Sequence, residues 1–510
     1  VAGSLEEFTQ FHTDHWTASL HRGVEALVTS TGLAQVNVSR GESSLQWSAD
    51  AKLPQLLQAC PMDGVSLADG SGTLTARLTI RNAQTNVSVQ GAVTRVTGDW
   101  NGATVRNAEA RLDLAAGLQN DGIEISRLML GLPRTPRAVN ELQLTGRLLW
   151  ATNSLVSGKL VATSPALDLT PVAGLFQGGS DGTTADRPAS PAPSGEPFRL
   201  PVGRFEWDSR LDALYLREVA VSNWITRAEV TTDRIQVAPF QLTLNGAPVS
   251  AEADLRLNAP GQPMDFKASA VGVPVRPLAA SVLPPDQADL TGVLDAAVDL
   301  KGISSVGPAL RSGLAGTASL SATNLNYRIA SLKSPLMRVL VKTLSASLRL
   351  PSISESPLRA MELRATAGQG VVTLESARVA SDVFMASTRG QVALADVLTN
   401  STLQFPVTVS LPKQGAWDEL PTFLTVKGTL GNPRPDLDAL GLARVLPRLP
   451  GTAGELGVQG VEKIGGALDR VLGGKSGTNS TPGAATGLLK NLLGVPPAAT
   501  NAPKTPPKQP

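Results

Sequence analysis

His12, His15 and His21 are the only imidazoles in this 510-residue chain, and they crowd near its start. His12 and His15 stand three apart, a spacing that on a helix would bring two nitrogens to one face for zinc. A closed structural site wants four ligands, however, and the single cysteine, Cys60, leaves the set short. The expectation is a solvated helix start with no metal and no cofactor. Cys60 alone excludes an internal disulfide framework and, as free cysteines usually do, is expected to be buried as a small hydrophobe. Gly474-Lys475-Ser476 has the ending of a phosphate-binding loop, but Asp469 stands where that loop needs its first glycine.

Acid–base catalysis would need Asp and Glu gathered in one cleft, yet here they alternate with Arg, Lys and Thr, the pattern of a solvated sheet face. No Gly-x-Ser-x-Gly elbow supplies a nucleophile either. The sequence assigns no catalytic residue, and the chain is expected not to be an enzyme.

The elements that would carry any site are strands. Leu45, Trp47, Ala49, Ala51 and Leu53 alternate with polar neighbours, as do Leu74, Ala76, Leu78 and Ile80 against Thr75, Arg77 and Thr79. Period two means one apolar and one wet face. The pattern returns at Phe205, Trp207 and Leu211, at Ala251, Ala253, Leu255 and Leu257, at Leu290, Leu294, Ala296, Val298 and Leu300, and at Leu403, Phe405, Val407, Val409 and Leu411. Turn pairs such as Asp121-Gly122 and Asn245-Gly246 punctuate it, and short connections favour antiparallel hairpins. The predicted fold is mainly β, an elongated, curved antiparallel sheet forming a groove of roughly 25 strands, with a few short helices.

Composition narrows the partners. The net charge of +2 and 17% charged residues give no basic stripe for nucleic acid. Aromatic residues are 4% against 42% hydrophobic, so the apolar content is aliphatic. No stretch approaches the roughly 20 apolar residues that span a bilayer, so the chain as given is expected to be soluble. With little amphipathic helix to cover one apolar face, the sheet must cover itself or bind something.

The chain is expected to divide into an upstream β-repeat region at 1–176, a Gly/Ser/Pro-rich linker at 177–197, a second β region at 198–438, short amphipathic helices at 439–495 and a disordered proline-rich tail at 496–510. Val461, Ile464, Leu468 and Val471 carry the helical spacing, followed by Leu488, Leu489, Leu492 and Leu493.

Over 201–438 the chain resembles the carboxy-terminal region of AsmA-like proteins. "LPVGRFEWDSRLDALYLREVAVSNW" is similar to the strand pair that opens that region, "VPVRPLAASVLP" to its short helix, "ADLTGVLDAAVDLKG" to its Gly-marked strand, and "LTVKGTLGNPRPDLD" to its closing motif. Residues 1–176 look like the family's more variable upstream repeats. The resemblance implies a bridge-like groove in the periplasm of a two-membrane bacterium, serving phospholipid transport and outer-membrane homeostasis. It also implies an inner-membrane anchor, which here would have to precede Val1. The helices after Asp438 would pack against the groove end or touch the outer membrane.

On this reading the groove-lining candidates are Leu74, Leu78, Phe205, Trp207, Leu255, Leu257, Leu294, Val298, Leu374, Val407 and Val409. The alternative is an assembly factor that offers its sheet edge or groove to outer-membrane proteins.

Overall fold

The computed structural model describes residues 2–6, 10–82, 84–100, 103–150, 156–173, 197–283, 290–303, 311, 313–328, 345, 356–413 and 416–445. By its internal contacts the chain divides into two units, Val1–Ala297 and Val298–Pro510, and the division falls inside the strand Val293–Ile303 rather than at 177–197. The predicted helices around Val461–Val471 and Leu488–Leu493, the tail at 496–510 and Gly474-Lys475-Ser476 lie outside the described residues.

Period-two alternation makes the first unit mainly β. Its strands are β1 (Ala2–Glu6), β2 (Gln10–Arg22), β3 (Glu25–Asn37), β4 (Glu42–Lys52), β5 (Val65–Arg81), β6 (Gln84–Trp100), β7 (Ala103–Gln119) and β8 (Gly122–Gly131). They continue with β9 (Glu141–Trp150), β10 (Val156–Ser164), β11 (Leu167–Asp168), β12 (Val202–Leu216), β13 (Val219–Thr231), β14 (Arg234–Leu244), β15 (Ala247–Arg256) and β16 (Met264–Pro274). Consecutive strands pair antiparallel from β1 to β10 and again from β12 to β16. The sheet is open, since β1 pairs only with β2 among the described residues.

Four expectations need correction. The sheet is mixed, because β10 and β11 run parallel to β12. A parallel neighbour requires a crossover of a dozen or more residues, and 169–201 is long enough to provide it. The histidines stand on strand β2 rather than at a helix start, with His15 Nε2 hydrogen-bonded to Thr17 Oγ1 at 2.9 Å and His21 Nε2 to Ser19 Oγ at 2.7 Å. Cys60 is exposed, since it follows the short helix α1 (Leu53–Ala59) into a connection that no element covers. Leu53 leaves the β4 alternation because Pro54 stands at the start of α1, where its fixed φ suits a helix.

A second helix, α2 (Val275–Val282), lies in "VPVRPLAASVLP", where the resemblance places one. Among the described residues no helix is long and apolar enough to cross a membrane.

In the second unit, after β17 (Val293–Ile303), come β18 (Ala315–Thr323), β19 (Tyr327–Arg328), β20 (Pro357–Gly368), β21 (Val371–Ser381), β22 (Met385–Ala393), β23 (Thr402–Lys413), β24 (Ala416–Glu419), β25 (Leu424–Thr429), β26 (Asn432–Leu437) and α3 (Ala439–Val445). The pairings from β18 to β26 are antiparallel. This unit holds a buried core, with Val409, Phe423, Leu424 and Val445 at most 2% exposed. The first unit buries less: of its fully buried apolar residues most are alanines, and the large ones are Leu27, Val221, Leu257 and Val273.

Candidate functional site

Strand register in the first unit builds one continuous apolar face. From Leu78 on β5, the residues directly opposite are Leu45 and Ala34 in one direction and Val87, Ala116, Ile125 and Gly146 in the other. The rung continues through Leu160, crosses the parallel junction to Trp207, and goes on to Ala228, Val237, Ala253 and Phe266. A second rung starts at Gly32 and Trp47, runs through Ala76, Val89, Leu114, Leu128, Leu144 and Ala162, and ends at Phe240, Ala251 and Ala268. Between Ala162 and Phe240 its only polar members are Ser209 and Thr226. Neither rung contains a charge. Thirteen strands at about 4.8 Å give a face on the order of 60 Å across.

One residue along the strands, the opposite face is polar. Thr79 pairs with Asn86, and the rung passes Gly117, Glu124, Arg147, Lys159, Glu206, Glu229, Gln236, Asp254 and Asp265. Its charges pair across strands. Asp208 accepts from Lys159 Nζ at 2.8 Å and Arg227 Nε at 2.9 Å, and Asp254 takes a two-point contact from Arg234 at 2.7 and 2.6 Å. The hydrogen bond from Lys159 holds the Asp208 carboxyl below its ordinary range, and that from Arg234 does the same for Asp254.

The sequence-derived candidates fall into two groups. Leu74, Leu78, Phe205, Trp207 and Leu255 share the apolar face and are half-buried, the state of side chains that pack sideways on a sheet with nothing laid over them. Leu294, Val298 and Leu374 are also half-buried, on β17 and β21. Leu257, Val407 and Val409 are instead enclosed, at 2%, 7% and 1% exposure. Leu257 is covered where the Phe198 amide donates to its carbonyl, and the two valines belong to the core of the second unit.

Aromatic residues gather at two places on the apolar face. On β12–β16 Phe205, Trp207 and Phe266 are joined by Trp224, whose ring meets Phe240 edge-on at 5.1 Å. At the other end Trp16 lies on Gly32, where an added Cβ would stand 2.5 Å from the indole carbons. There Trp16, Leu45, Trp47, Ala76, Leu78 and Val87, with Arg77, line a cavity of about 280 Å³. Two indole N–H groups are tied off inside the sheet, that of Trp47 to Ser30 Oγ and that of Trp224 to Ser209 Oγ at 3.2 Å. Those two rings therefore offer apolar area and no free donor.

A buried polar cluster beside the parallel junction has no counterpart in the sequence reading. Asp168 is 4% exposed and accepts from Arg137 Nε and Nη2 at 3.2 and 3.0 Å, from Thr135 Oγ1 at 3.0 Å and from the Thr170 amide at 3.0 Å. Arg137 also donates to the Arg217 carbonyl at 2.7 Å and lies over the Tyr215 ring at 5.0 Å. Burial pushes the Asp168 carboxyl up, but the hydrogen bonds from Thr170 and Thr135 and the charge of Arg137 outweigh it and hold the group below its ordinary value. With both carboxylate oxygens occupied, this is a clamp between β11, β12 and the loop before β9. Arg137, Asp168 and Arg217 lie far apart in sequence, and no motif signals them.

Among the described residues, no group of three His, Cys, Asp or Glu could hold a metal ion. The class that emerges is an open β-sheet protein with one apolar and one ion-paired face. No protein-family model and no curated protein matches the chain.

Proposed function

We propose that this protein is a non-enzymatic carrier of phospholipid acyl chains, working in the periplasm to support outer-membrane lipid homeostasis, with the apolar face of the first unit as the groove. The observation that carries this reading is the uncharged, mostly half-buried rung that runs from Ala34 to Phe266 while the rung beside it carries charges from Glu124 on. A lipid with about 32 methylene groups faces on the order of 25 kcal/mol on entering water, at about 0.8 kcal/mol per buried methylene. A continuous apolar floor removes most of that cost without any bond being broken. The resemblance to AsmA-like proteins supports the same compartment and cargo, and with them an anchor in the inner membrane.

The test is native mass spectrometry of the purified chain, with extraction and identification of co-purifying lipid. Several phospholipids per chain are expected, and Leu78→Asp with Leu255→Asp should lose them while the chain stays folded. A folded, monomeric, lipid-free parent would sink the proposal and favour an assembly factor that pairs its sheet edge with outer-membrane proteins.

A further inference from the structure

We infer that the cavity beside Trp16 and Trp47 is a seat for one acyl chain, a fixed station at the β2–β5 end of the floor. The inference rests on the lipid-carrier reading and adds a place to it. Over β6–β10 the two rungs carry only aliphatic side chains and glycine, which grip any apolar group equally. Here two small residues interrupt that packing. Gly32 lets the Trp16 ring lie flat against the backbone, and Ala76, opposite Trp47, leaves a hollow beside it. The resulting volume, about 280 Å³, falls just below the roughly 300–1,000 Å³ typical of small-molecule sites, which suits part of a single chain rather than a whole lipid.

The chemistry of the walls selects the occupant. The Trp47 N–H is already given to Ser30, and Arg77 directs its guanidinium to Gln46 Oε1 at 3.1 Å, on the polar face. The rest of the lining is Leu45, Leu78, Val87 and Ala76, so a methylene chain would find two indole surfaces and aliphatic walls. Leu45 and Leu78 continue along the rung toward Val87 and Ala116, so a chain seated here lies in line with the rest of the floor.

The experiment uses a phosphatidylcholine with a diazirine on one acyl chain, photolysed on the full chain and mapped by peptide mass spectrometry. Label is expected to be enriched on the peptides bearing Trp16 and Trp47. Ala76→Leu, which fills the hollow, should lower that enrichment on the order of tenfold, a loss of about 1.4 kcal/mol. Gly32→Ala, which lifts the Trp16 ring, serves as the second variant, and each is used only where circular dichroism matches the parent. Label spread evenly from β5 to β16, or enrichment that neither variant changes, overturns the seat and leaves the groove reading standing. Label absent from the whole face overturns both.

Discussion

Asp168 shows what one buried side chain decides here. Its carboxylate joins three segments, and replacing it by Asn removes the charge that Arg137 faces while keeping the shape. Asp168→Asn should cost about 1.5–3 kcal/mol, the range for hydrogen bonds to a charged group, and a urea titration monitored by circular dichroism measures it. The pH dependence follows in sign. Because the folded carboxyl sits below its ordinary value of about 3.9, the stabilisation is fully present above that pH and is lost as pH falls through the lower folded value. Asp208 and Asp254 act in the same direction. The parent should therefore lose stability more steeply than Asp168→Asn as the pH is taken below about 4, and parallel acid titrations would contradict this account.

Among the elements, the β9–β10 pair is tightly constrained on both strands. Gly146 has φ +151° and an added Cβ would lie 2.0 Å from the Lys159 carbonyl oxygen; Gly158, across the pair, has φ +158° and the same conflict at 2.2 Å from the Arg147 oxygen. Both allow the strands to approach closely just before the sheet changes from antiparallel to parallel. Gly146→Ala should destabilise the chain by about 1–3 kcal/mol, and hydrogen exchange should locate the loss at β9, β10 and β12 rather than at β3–β5. Alternation marks strands such as β5 and β12 in the sequence because one face of each meets solvent. It was silent on direction, since a strand with one apolar face shows the same period beside a parallel or an antiparallel neighbour. His12 and His15 were misplaced for a related reason: their three-residue spacing suggested a helix, while the local alternation of Thr13, His15, Thr17 and Ser19 belonged to a strand.

For the first unit as a whole, the prediction concerns solvent rather than any single contact. A native chain with an uncovered apolar face should bind 8-anilinonaphthalene-1-sulfonate at neutral pH while keeping its near-ultraviolet circular dichroism, the signal that a molten globule loses. Loading with phosphatidylcholine should displace the dye. Dye binding that appears only together with loss of near-ultraviolet signal would mean the face is covered in the native state.

Sequence alone determined that the chain is mainly β and which residues share a face, because side chains on a strand alternate strictly and Leu74, Leu78, Phe205, Trp207 and Leu255 could not lie elsewhere once the strands formed. It could not say which apolar positions remain open. Leu257, Val407 and Val409 follow the same alternation as Leu255 and Leu78, yet they are enclosed while the others are half-buried. Covering depends on segments distant in sequence, such as the chain at Phe198 ahead of β12 for Leu257, and local periodicity carries no record of them. The seat at Trp16 and the clamp at Asp168 were decided at the same level, by cross-strand register and by loops brought together only in the folded chain.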